Sequence, residues 1–432
     1  MIRLFYNLLF PVGLLFFLPS YLLKMRRRGN YRQNFGQRFG FYDREVRDRL
    51  SQRQRTWIHA VSVGEVAVAL KLAVALRDRD PAFTCALTTT TTTGYAFARQ
   101  GGHDWIEVLY NPLDYWLIVR RAFAAIRPSR IVLVEAEVWP NLAATAKARR
   151  LPLALVNARL SPRSERRFGR FRRFVAPTFR CLDLVCVQEA RDIVRWESLG
   201  VRREVIHEVG SIKYDPSQTE ADLTTPLRIL ANLGVVPGRP ILLGGSTHPG
   251  EEEILGATFL RARAEFPDLF LILAPRHAER TAEVRAVLEG AGLRVALRSH
   301  SEDASGGSPD CLLLDTTGEL RHWYAVATAV FIGKSPTTNG GQNPVEPIMA
   351  GAPVVFGPHM ENFSSLARAL VQADGAIEVR DADALALRLA ELLRQPERRR
   401  ALVRHAERLL AQHRGATRRT AELLLQLTAS AK

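Results

Sequence analysis

Residues 56–65 read Thr56-Trp57-Ile58-His59-Ala60-Val61-Ser62-Val63-Gly64-Glu65. The first six are mostly apolar, as in a buried strand, and a helical pattern follows the glycine over residues 66–76. A strand that turns at a glycine into a helix is typical of an open α/β sheet, and it places Glu65 at the carboxyl edge, where ligands bind. A carboxylate at a helix start is also an ordinary capping or dipole partner, and the local pattern alone favours that interpretation.

The same alternation of strands and helices continues along most of the chain. A first series of strands is predicted at residues 57–61, 84–89, 106–108, 131–135, 153–157, 184–187 and 205–209. A second series is predicted at residues 241–244, 269–274, 294–296, 311–314, 329–332, 353–356 and 377–379. This pattern predicts an α/β protein with two parallel, doubly wound sheets. Two Rossmann-like domains facing a central cleft describe the GT-B architecture of glycosyltransferases, and periplasmic binding proteins share that outline.

Changes in composition divide the chain into five predicted parts. We expect an N-terminal hydrophobic membrane anchor over residues 1–30 and a first Rossmann-like domain over residues 31–213. Residues 214–238, with several Pro, Thr and acidic residues, are predicted to be a linker. A second Rossmann-like domain is expected over residues 239–400, and residues 401–432 are expected to form helices that pack back on the first domain.

The N-terminal segment has the composition of a membrane anchor. Residues 4–23 carry no charge, and about 20 apolar residues give roughly 30 Å of helix, enough to cross a hydrocarbon core. Four cations follow within residues 24–28, which places the rest of the chain in the cytoplasm by the positive-inside rule. A cleaved signal peptide, and with it an exported binding protein, is disfavoured because these cations follow the apolar stretch. Pro11 and Pro19 leave a bent or monotopic insertion open.

The overall charge indicates an anionic partner. Among 432 residues, 60 are Lys or Arg and 44 are Asp or Glu, a formal net charge of +16. Nucleic acid, an acidic membrane surface and phosphorylated substrates fit such a charge, and arginine enrichment from a GC-rich genome explains part of it. The chain has no RNP-like aromatic cluster and no zinc-finger spacing, which argues against nucleic acid. Its 4 cysteines form no C-x-x-C pair, which indicates a reducing compartment and no structural metal.

Charged side chains follow several strands of the first series. Glu135 and Glu137 end an apolar strand, where burying two like charges would cost several kcal/mol unless they are paired or hydrated. We therefore expect one of them to face the cleft. Residues 159–164 form a basic loop that suits an anionic acceptor, and Lys213 lies near the end of the first domain.

Loops of small residues follow strands of the second series. Residues 244–252 open a helix whose amino end favours an anion, although the two acids of its first turn are most simply dipole partners. Arg276 ends a strand and can either clamp a phosphate or form a surface salt bridge. In residues 333–347, Glu346 is placed either to accept hydrogen bonds from the two hydroxyls of a nucleotide ribose or to cap a helix.

Eight segments, in order along the chain, together resemble the lipid A Kdo (3-deoxy-D-manno-octulosonic acid) transferases. They are residues 59–65, 135–141, 159–164, 210–215, 246–252, 275–277, 318–319 and 340–347. The resemblance implies an inverting, metal-independent GT-B glycosyltransferase of lipopolysaccharide biosynthesis. Such an enzyme moves Kdo from CMP-Kdo to the phosphorylated tetraacyl lipid A precursor, lipid IVA, on the cytoplasmic side of the inner membrane. The first domain would then take the acceptor and the second the CMP-sugar.

The resemblance also implies the site residues. Glu65 matches the general base, and Glu137 and Lys213 match residues that support the transition state. The CMP site is implied at Pro275, Arg276, Thr317, Gly318, Glu319, Asn343, Pro344, Val345 and Glu346. No metal and no cofactor is implied besides the donor substrate. Gln342 departs from the family, in which many relatives have His.

Two alternatives are kept beside this prediction. One is another GT-B transferase that uses a UDP- or ADP-activated sugar on a lipid acceptor. The other is a non-catalytic basic protein that binds lipid. The expected partners are CMP-Kdo, the phosphorylated lipid A precursor and anionic inner-membrane lipids, with no nucleic acid.

Overall fold

The computed structural model describes residues 2–27, 34–215, 222–301, 308–338 and 340–427. The chain divides into two compact units, one formed by Met1–Asp215 with His413–Lys432 and the other by Pro216–Gln412. Each unit contains one 7-stranded sheet in which all strand pairs are parallel. The predicted pair of parallel α/β sheets is confirmed.

The first unit alternates strands and helices in the predicted order. Its strands are β1 (Arg55–His59), β2 (Cys85–Thr89), β3 (Ile106–Tyr110), β4 (Pro128–Val134), β5 (Leu153–Ala158), β6 (Leu184–Val187) and β7 (Ile206–Glu208). Its helices up to that point are α1 (Ile2–Arg27), α2 (Arg44–Ser51), α3 (Val63–Arg79), α4 (Thr92–Gln100), α5 (Trp116–Ile126), α6 (Pro140–Ala148), α7 (Pro162–Arg170), α8 (Arg172–Phe179) and α9 (Ala190–Ser198).

The second unit repeats the design. Its strands are β8 (Ile241–Thr247), β9 (Phe270–Pro275), β10 (Val295–Leu297), β11 (Cys311–Leu313), β12 (Ala329–Ile332), β13 (Val354–Phe356) and β14 (Ile377–Glu378). Its helices are α10 (Thr224–Asn232), α11 (Glu251–Arg263), α12 (Thr281–Gly290), α13 (Leu320–Trp323), α14 (Val345–Met349), α15 (Ser364–Gln372), α16 (Ala382–Arg394) and α17 (Pro396–Ala411). The last helix of the chain, α18 (Ala416–Gln426), belongs to the first unit.

Both sheets have a point at which the strand order reverses direction. The first sheet has the order β3-β2-β1-β4-β5-β6-β7, so β1 lies between β2 and β4. The second has the order β10-β11-β9-β8-β12-β13-β14, so β8 lies between β9 and β12. The connections diverge at such a switch point and leave a crevice at the carboxyl ends of the strands. We therefore expect functional residues in the loops after β1 and β4 and in the loops after β8 and β12.

The central strand β1 is buried along its whole length because both faces of the first sheet are covered. On one face, Trp57 and Leu133 join a core cluster that includes the buried side of α5. On the other face, Ile58 and Val132 join a cluster that includes α3 and residues of α18. All 4 cysteines lie in described parts of the chain and are free thiols.

The boundary between the units differs from the prediction at residues 400–401. Leu402 of α17 belongs to the core of the second unit, whereas Leu424 of α18 belongs to that of the first. The carboxylate of Asp215 accepts hydrogen bonds from the backbone N–H groups of Gly415 (2.7 Å) and Thr417 (2.8 Å), which fixes the start of α18. The segment predicted as a linker, residues 214–238, contains α10, and residues 216–221 lie outside the described residues.

The N-terminal helix α1 packs on the first unit through one of its sides. Asn7 exchanges hydrogen bonds with Asn141 (2.9 and 3.0 Å), and the ring of Phe10 stacks on Tyr115 at 5.6 Å. The opposite side exposes large apolar side chains, namely Leu4, Phe5, Leu8, Leu9, Val12, Leu15 and Phe16. Within the described residues, no helix combines the length and apolar character needed to cross a membrane.

Candidate active site

Glu65 lies in the first turn of α3, directly after β1 at the switch point of the first sheet. The backbone N–H of Val61 donates to its Oε2 at 2.9 Å, and the hydroxyl of Ser62 donates to its Oε1 at 2.9 Å. The Ser62 hydroxyl oxygen in turn accepts from the backbone N–H of Glu65 at 3.4 Å. This reciprocal arrangement resembles a capping box, so the sequence pattern Ser-x-x-Glu fixes both the helix start and the carboxylate.

The pKa of Glu65 is raised to about 7, chiefly by burial of the carboxyl group, which is 8 % exposed. The neighbouring carboxylates of Glu135 and Glu137 raise it further, and the hydrogen bonds from Val61 and Ser62 oppose the shift. A carboxylate with a pKa near neutrality is suited to take a proton at physiological pH. The capping role and a proton-accepting role are therefore compatible at this residue.

Glu135 and Glu137 follow β4, the neighbour of β1. Glu135 has a φ of 62°, a left-handed conformation that costs free energy in a residue other than glycine and that occurs often at functional sites. Burial raises the pKa of Glu137, the charge of Glu135 raises it further, and the cation of Arg167 opposes both. The two carboxylates are both partly exposed at this edge, which agrees with the prediction that they would not be buried unpaired.

Lys213 lies half-buried at the same edge of the first unit. Burial lowers the pKa of its ammonium group, Glu135 opposes that shift, and the cation of Arg159 adds to it. Its loop is held by Asn157, whose side-chain oxygen accepts hydrogen bonds from the backbone N–H of Ile212 (3.0 Å) and the hydroxyl of Ser211 (3.3 Å). Like Glu135, Asn157 adopts a left-handed conformation, with a φ of 51°.

The structure thus brings three of the sequence candidates, Glu65, Glu137 and Lys213, into one electrostatically coupled group. It adds residues that the candidate set lacked. Glu135 couples to all three, and Arg159 and Arg167 supply cations. The sequence pointed to Glu135 as an acid at a strand end and to Arg159 as part of a basic loop. Arg167 could not be found in this way, because it lies inside α7, where an arginine has no distinguishing pattern.

In the second unit, Glu251 joins the two loops at the switch point. This side chain is 0 % exposed and accepts hydrogen bonds from the backbone N–H groups of His248 (2.9 Å) and Lys334 (2.9 Å). Ser246, near the end of β8, and Lys334, in the loop after β12, have left-handed φ values of 54° and 59°. Glu251 is therefore a structural acceptor that fixes two loops, which goes beyond the dipole role expected from its place in the first turn of α11.

Glu252 is also engaged in the fold. Its carboxylate accepts hydrogen bonds from the hydroxyl of Thr247 (2.8 Å) and from the guanidinium of Arg280 (2.9 Å). Arg280 is mostly buried, so this pair is shielded from solvent. Together, Glu251 and Glu252 hold the loop of small residues after β8 in one conformation.

The remaining candidates lie on loops after β9, β11 and β12. Pro275 ends β9, and the exposed side chain of Arg276 makes no hydrogen bond or ion pair with any described residue. Thr317 and Gly318 are exposed in the loop after β11, and Gly318 has a φ of 91°. Glu319 accepts a hydrogen bond from Arg298 at 3.2 Å. Since β9 and β11 are adjacent, these loops emerge side by side.

Asn343 and Glu346 frame the start of α14. The side-chain amide of Asn343 donates to Glu346 Oε1 at 3.1 Å, while its oxygen accepts from the backbone N–H of Val345 at 3.0 Å. Pro344 and Val345 are buried, and Glu346 is exposed. The side chain of Asn343, directly before the N-cap residue Pro344, thus holds the start of this helix, and the exposed Glu346 carboxylate stays open to a ligand. Gln342, the departure from the family, contacts His248 at 3.2 Å.

Comparisons with known proteins show which family the chain resembles. Residues 33–216 match the family model described as 3-Deoxy-D-manno-octulosonic-acid transferase (kdotransferase). The chain is 33 % identical over 395 residues to the 3-deoxy-D-manno-octulosonic acid transferase of Haemophilus influenzae, covering 91 % of each chain. It is 37 % identical over 378 residues to that of Bordetella pertussis, covering 85 % of this chain and 86 % of the relative.

A solved structure shares the fold of this chain at low sequence identity. The UDP-GlcNAc 2-epimerase from Neisseria meningitidis bound to UDP-GlcNAc matches with a TM-score of 0.54 and 12 % identity, covering 87 % of this chain and 100 % of the other. This likeness concerns the α/β fold alone. Within the described residues, no group of three or more His, Cys, Asp or Glu side chains is placed to hold a metal ion.

Proposed function

The chain belongs to the 3-deoxy-D-manno-octulosonic acid (Kdo) transferases, and from this premise we propose that it moves Kdo from CMP-Kdo to lipid IVA with Glu65 as general base. The observation that carries the proposal is the carboxylate of Glu65, with a pKa of about 7, at the switch point of the first sheet. A sugar hydroxyl is a poor nucleophile, and a carboxylate in this state can take its proton as the new bond forms.

The proposed step is a single displacement. The acceptor hydroxyl oxygen bonds to the anomeric carbon of Kdo while the bond from that carbon to the cytidylate oxygen breaks. The hydroxyl proton passes to Glu65, and CMP leaves with the electron pair. Attack opposite to the leaving group inverts the anomeric configuration, and the step requires no metal or other cofactor.

Glu137 and Lys213 are proposed to support the transition state. The charges of Glu137 and Lys213 both interact with that of Glu135, so the cation and the acids form one preorganised electrostatic group. Preorganised charges stabilise a developing charge without reorganising at the moment of reaction. Arg159 and Arg167, on the same side of the unit, are suited to hold the phosphate groups of the acceptor.

The donor is proposed to bind the second unit. Arg276 offers an unpaired guanidinium, which can hold a phosphate with two parallel hydrogen bonds. The exposed carboxylate of Glu346 is positioned by Asn343 to accept hydrogen bonds from the ribose hydroxyls. The remaining proposed contacts to CMP are Pro275, Thr317, Gly318, Glu319, Pro344 and Val345.

We further propose that the enzyme works at the cytoplasmic side of the inner membrane. The exposed side of α1 is apolar, and a helix with one such side can lie in the membrane interface. Helices α7 and α8 carry arginines at six positions with exposed Phe171 and Phe174 between them, which suits anionic lipid headgroups. Deleting residues 1–28 is expected to shift the enzyme toward the soluble fraction, whereas full retention in the membrane would move the interface elsewhere.

A direct test uses the purified full-length enzyme with CMP-Kdo and lipid IVA. Mass spectrometry of the product should show added Kdo, and an absence of product would refute the proposed reaction. A panel of nucleotides tests the donor independently, because CMP should raise the unfolding temperature while UDP and ADP should not. Stabilisation by UDP or ADP instead would favour a transferase with a different sugar donor.

A further inference from the structure

A cavity of about 230 Å³ lies in the first unit, under the inner side of α1. Its walls are largely apolar and are formed mainly by Phe10, Leu14, Phe35, Phe39, Leu113 and Trp139. An apolar cavity of about 150 Å³ is already large enough to hold a benzene molecule. This cavity therefore has room for a longer hydrocarbon segment.

The cavity borders the loops that form the proposed acceptor site. Trp139 is two residues beyond Glu137 on the loop after β4. Thr90, also in the wall, lies between Thr89 and Thr91, whose hydroxyls donate to the backbone carbonyl of Val61 at 3.2 and 3.3 Å. The backbone N–H of Val61 is the group that holds Glu65. A ligand in the cavity is thus separated from the base by one layer of hydrogen-bonded residues.

We propose that this cavity binds one fatty acyl chain of the acceptor lipid and thereby presents the sugar hydroxyl to Glu65. The inference rests on the proposed function, in which the acceptor is a lipid. The apolar wall fits a hydrocarbon chain. The same helix exposes Leu15 and Phe16 beside Leu14, so a chain entering from the membrane interface meets apolar surface up to the cavity.

Filling the cavity tests the proposal by kinetics. Leu14→Trp adds bulk inside it, and Val194→Trp adds bulk in α9 of the same unit, outside the cavity wall, where the native side chain is 68 % exposed. We expect Leu14→Trp to raise KM for lipid IVA about tenfold or more while KM for CMP-Kdo stays within about twofold. Val194→Trp should change neither constant by more than about twofold. An unchanged acceptor KM in Leu14→Trp overturns the proposal.

Photolabelling tests the same site without requiring transfer. Lipid IVA with a diazirine in one acyl chain, presented in detergent micelles, should label peptides that contain Phe35, Phe39 or Leu113. The label should disappear in Leu14→Trp and remain in Val194→Trp. Labelling of these peptides to the same extent by a phospholipid with the same diazirine chain would overturn the assignment to the acceptor. A wild-type enzyme that is labelled but forms no product would instead refute the proposed function.

Discussion

The carboxylate of Glu65 accepts a 2.9 Å hydrogen bond from the backbone N–H of Val61, at the turn between β1 and α3. Its other oxygen accepts a hydrogen bond from Ser62, so each oxygen is held by one donor. An ionised carboxylate has about four acceptor sites, which leaves lone pairs for an incoming proton. Glu65, which pairs with the N-cap residue Ser62, is therefore held in a fixed orientation for catalysis, and the structural and catalytic interpretations of this motif describe one geometry.

Glu65→Gln should separate catalysis from folding. The amide keeps the size of the side chain and one acceptor oxygen but cannot take the proton, so kcat should fall by about 10²–10⁴-fold. The affinity for CMP, measured by titration calorimetry, should stay unchanged. Ser62→Ala is the control for the cap: it costs about 1 kcal/mol of stability and one of the two hydrogen bonds to Glu65, but the carboxylate is still held by Val61 and can still take a proton, so kcat should fall far less than in Glu65→Gln. Normal turnover by Glu65→Gln would exclude Glu65 as the base.

The raised pKa of Glu65 predicts two pH profiles. Because the base acts ionised, kcat/KM should rise with pH and level off above an apparent pKa of about 7. The free energy of unfolding should instead fall as the pH rises. The folded state holds this proton more tightly than the unfolded state, where the pKa is near 4.5. The stabilisation that comes from the bound proton is complete below a pH of about 4.5 and is lost as the pH rises through about 7.

The stability profile is measured as the unfolding temperature of the wild type minus that of Glu65→Gln. This difference should decrease between pH 5 and pH 8, because only the wild type has to ionise a buried carboxyl group. A difference that does not change with pH would show that Glu65 titrates near its ordinary value.

Asn157 should act on catalysis through the loop that carries Lys213. Asn157→Gly tolerates the left-handed φ but loses the hydrogen bonds to Ser211 and Ile212, so we expect kcat to fall about tenfold. Asn157→Ala loses the same bonds and adds strain of about 1–2 kcal/mol, so its unfolding temperature should be the lower of the two. Equal kcat in wild type and Asn157→Gly would show that the loop is held by other contacts.

The strands of both sheets could be predicted from short stretches of the sequence. Apolar runs bounded by turn residues located every one of the fourteen strands that the two sheets contain, with differences of a few residues at the ends. The switch points place the loops after β1 and β4 side by side, which is why acids at strand ends were informative. Strands that are buried and joined by short connections pair with each other. Burial appears in the sequence as regularly spaced apolar runs, so this part of the fold was predictable.

The long-range contacts that hold the loops and α1 in place have no such pattern in the sequence. Glu251 reaches Lys334 across 83 residues, and Asn7 reaches Asn141 across 134. In the sequence, Glu251 is indistinguishable from any acid in a first helical turn, and Asn7 is one polar residue in an apolar helix. The docked side of α1, and the cavity beneath it, arise only when distant segments meet in the folded unit.

Glu251→Ala should destabilise the second unit. The backbone N–H groups of His248 and Lys334 both donate to Oε2 of Glu251, and alanine has no oxygen to accept them, so these donors lose their partner at a cost of at least about 2 kcal/mol. We expect the unfolding temperature to fall by about 4–8 °C or more. Glu253→Ala, an exposed position in the same turn, is the control and should change it by less than about 2 °C. Similar shifts for both variants would contradict the role given to Glu251.

Arg276→Ala should weaken donor binding with little effect on chemistry. The exposed guanidinium makes no hydrogen bond or ion pair with any described residue, so its removal leaves no broken contact in the fold. If it clamps the donor phosphate, KM for CMP-Kdo should rise about tenfold or more, since hydrogen bonds to charged groups contribute about 1.5–3 kcal/mol. The change in kcat should stay within about threefold.

Two further variants decide whether the effect of Arg276→Ala is specific. Arg276→Lys keeps the charge but loses the planar fork, so its KM for the donor should lie between those of wild type and Arg276→Ala. Arg285→Ala removes an arginine that pairs only within α12, with Glu289 at 2.7 Å, and should leave the donor KM unchanged. Unchanged donor affinity in Arg276→Ala would discard the clamp, and an equal loss in Arg285→Ala would assign the effect to the net charge of the unit.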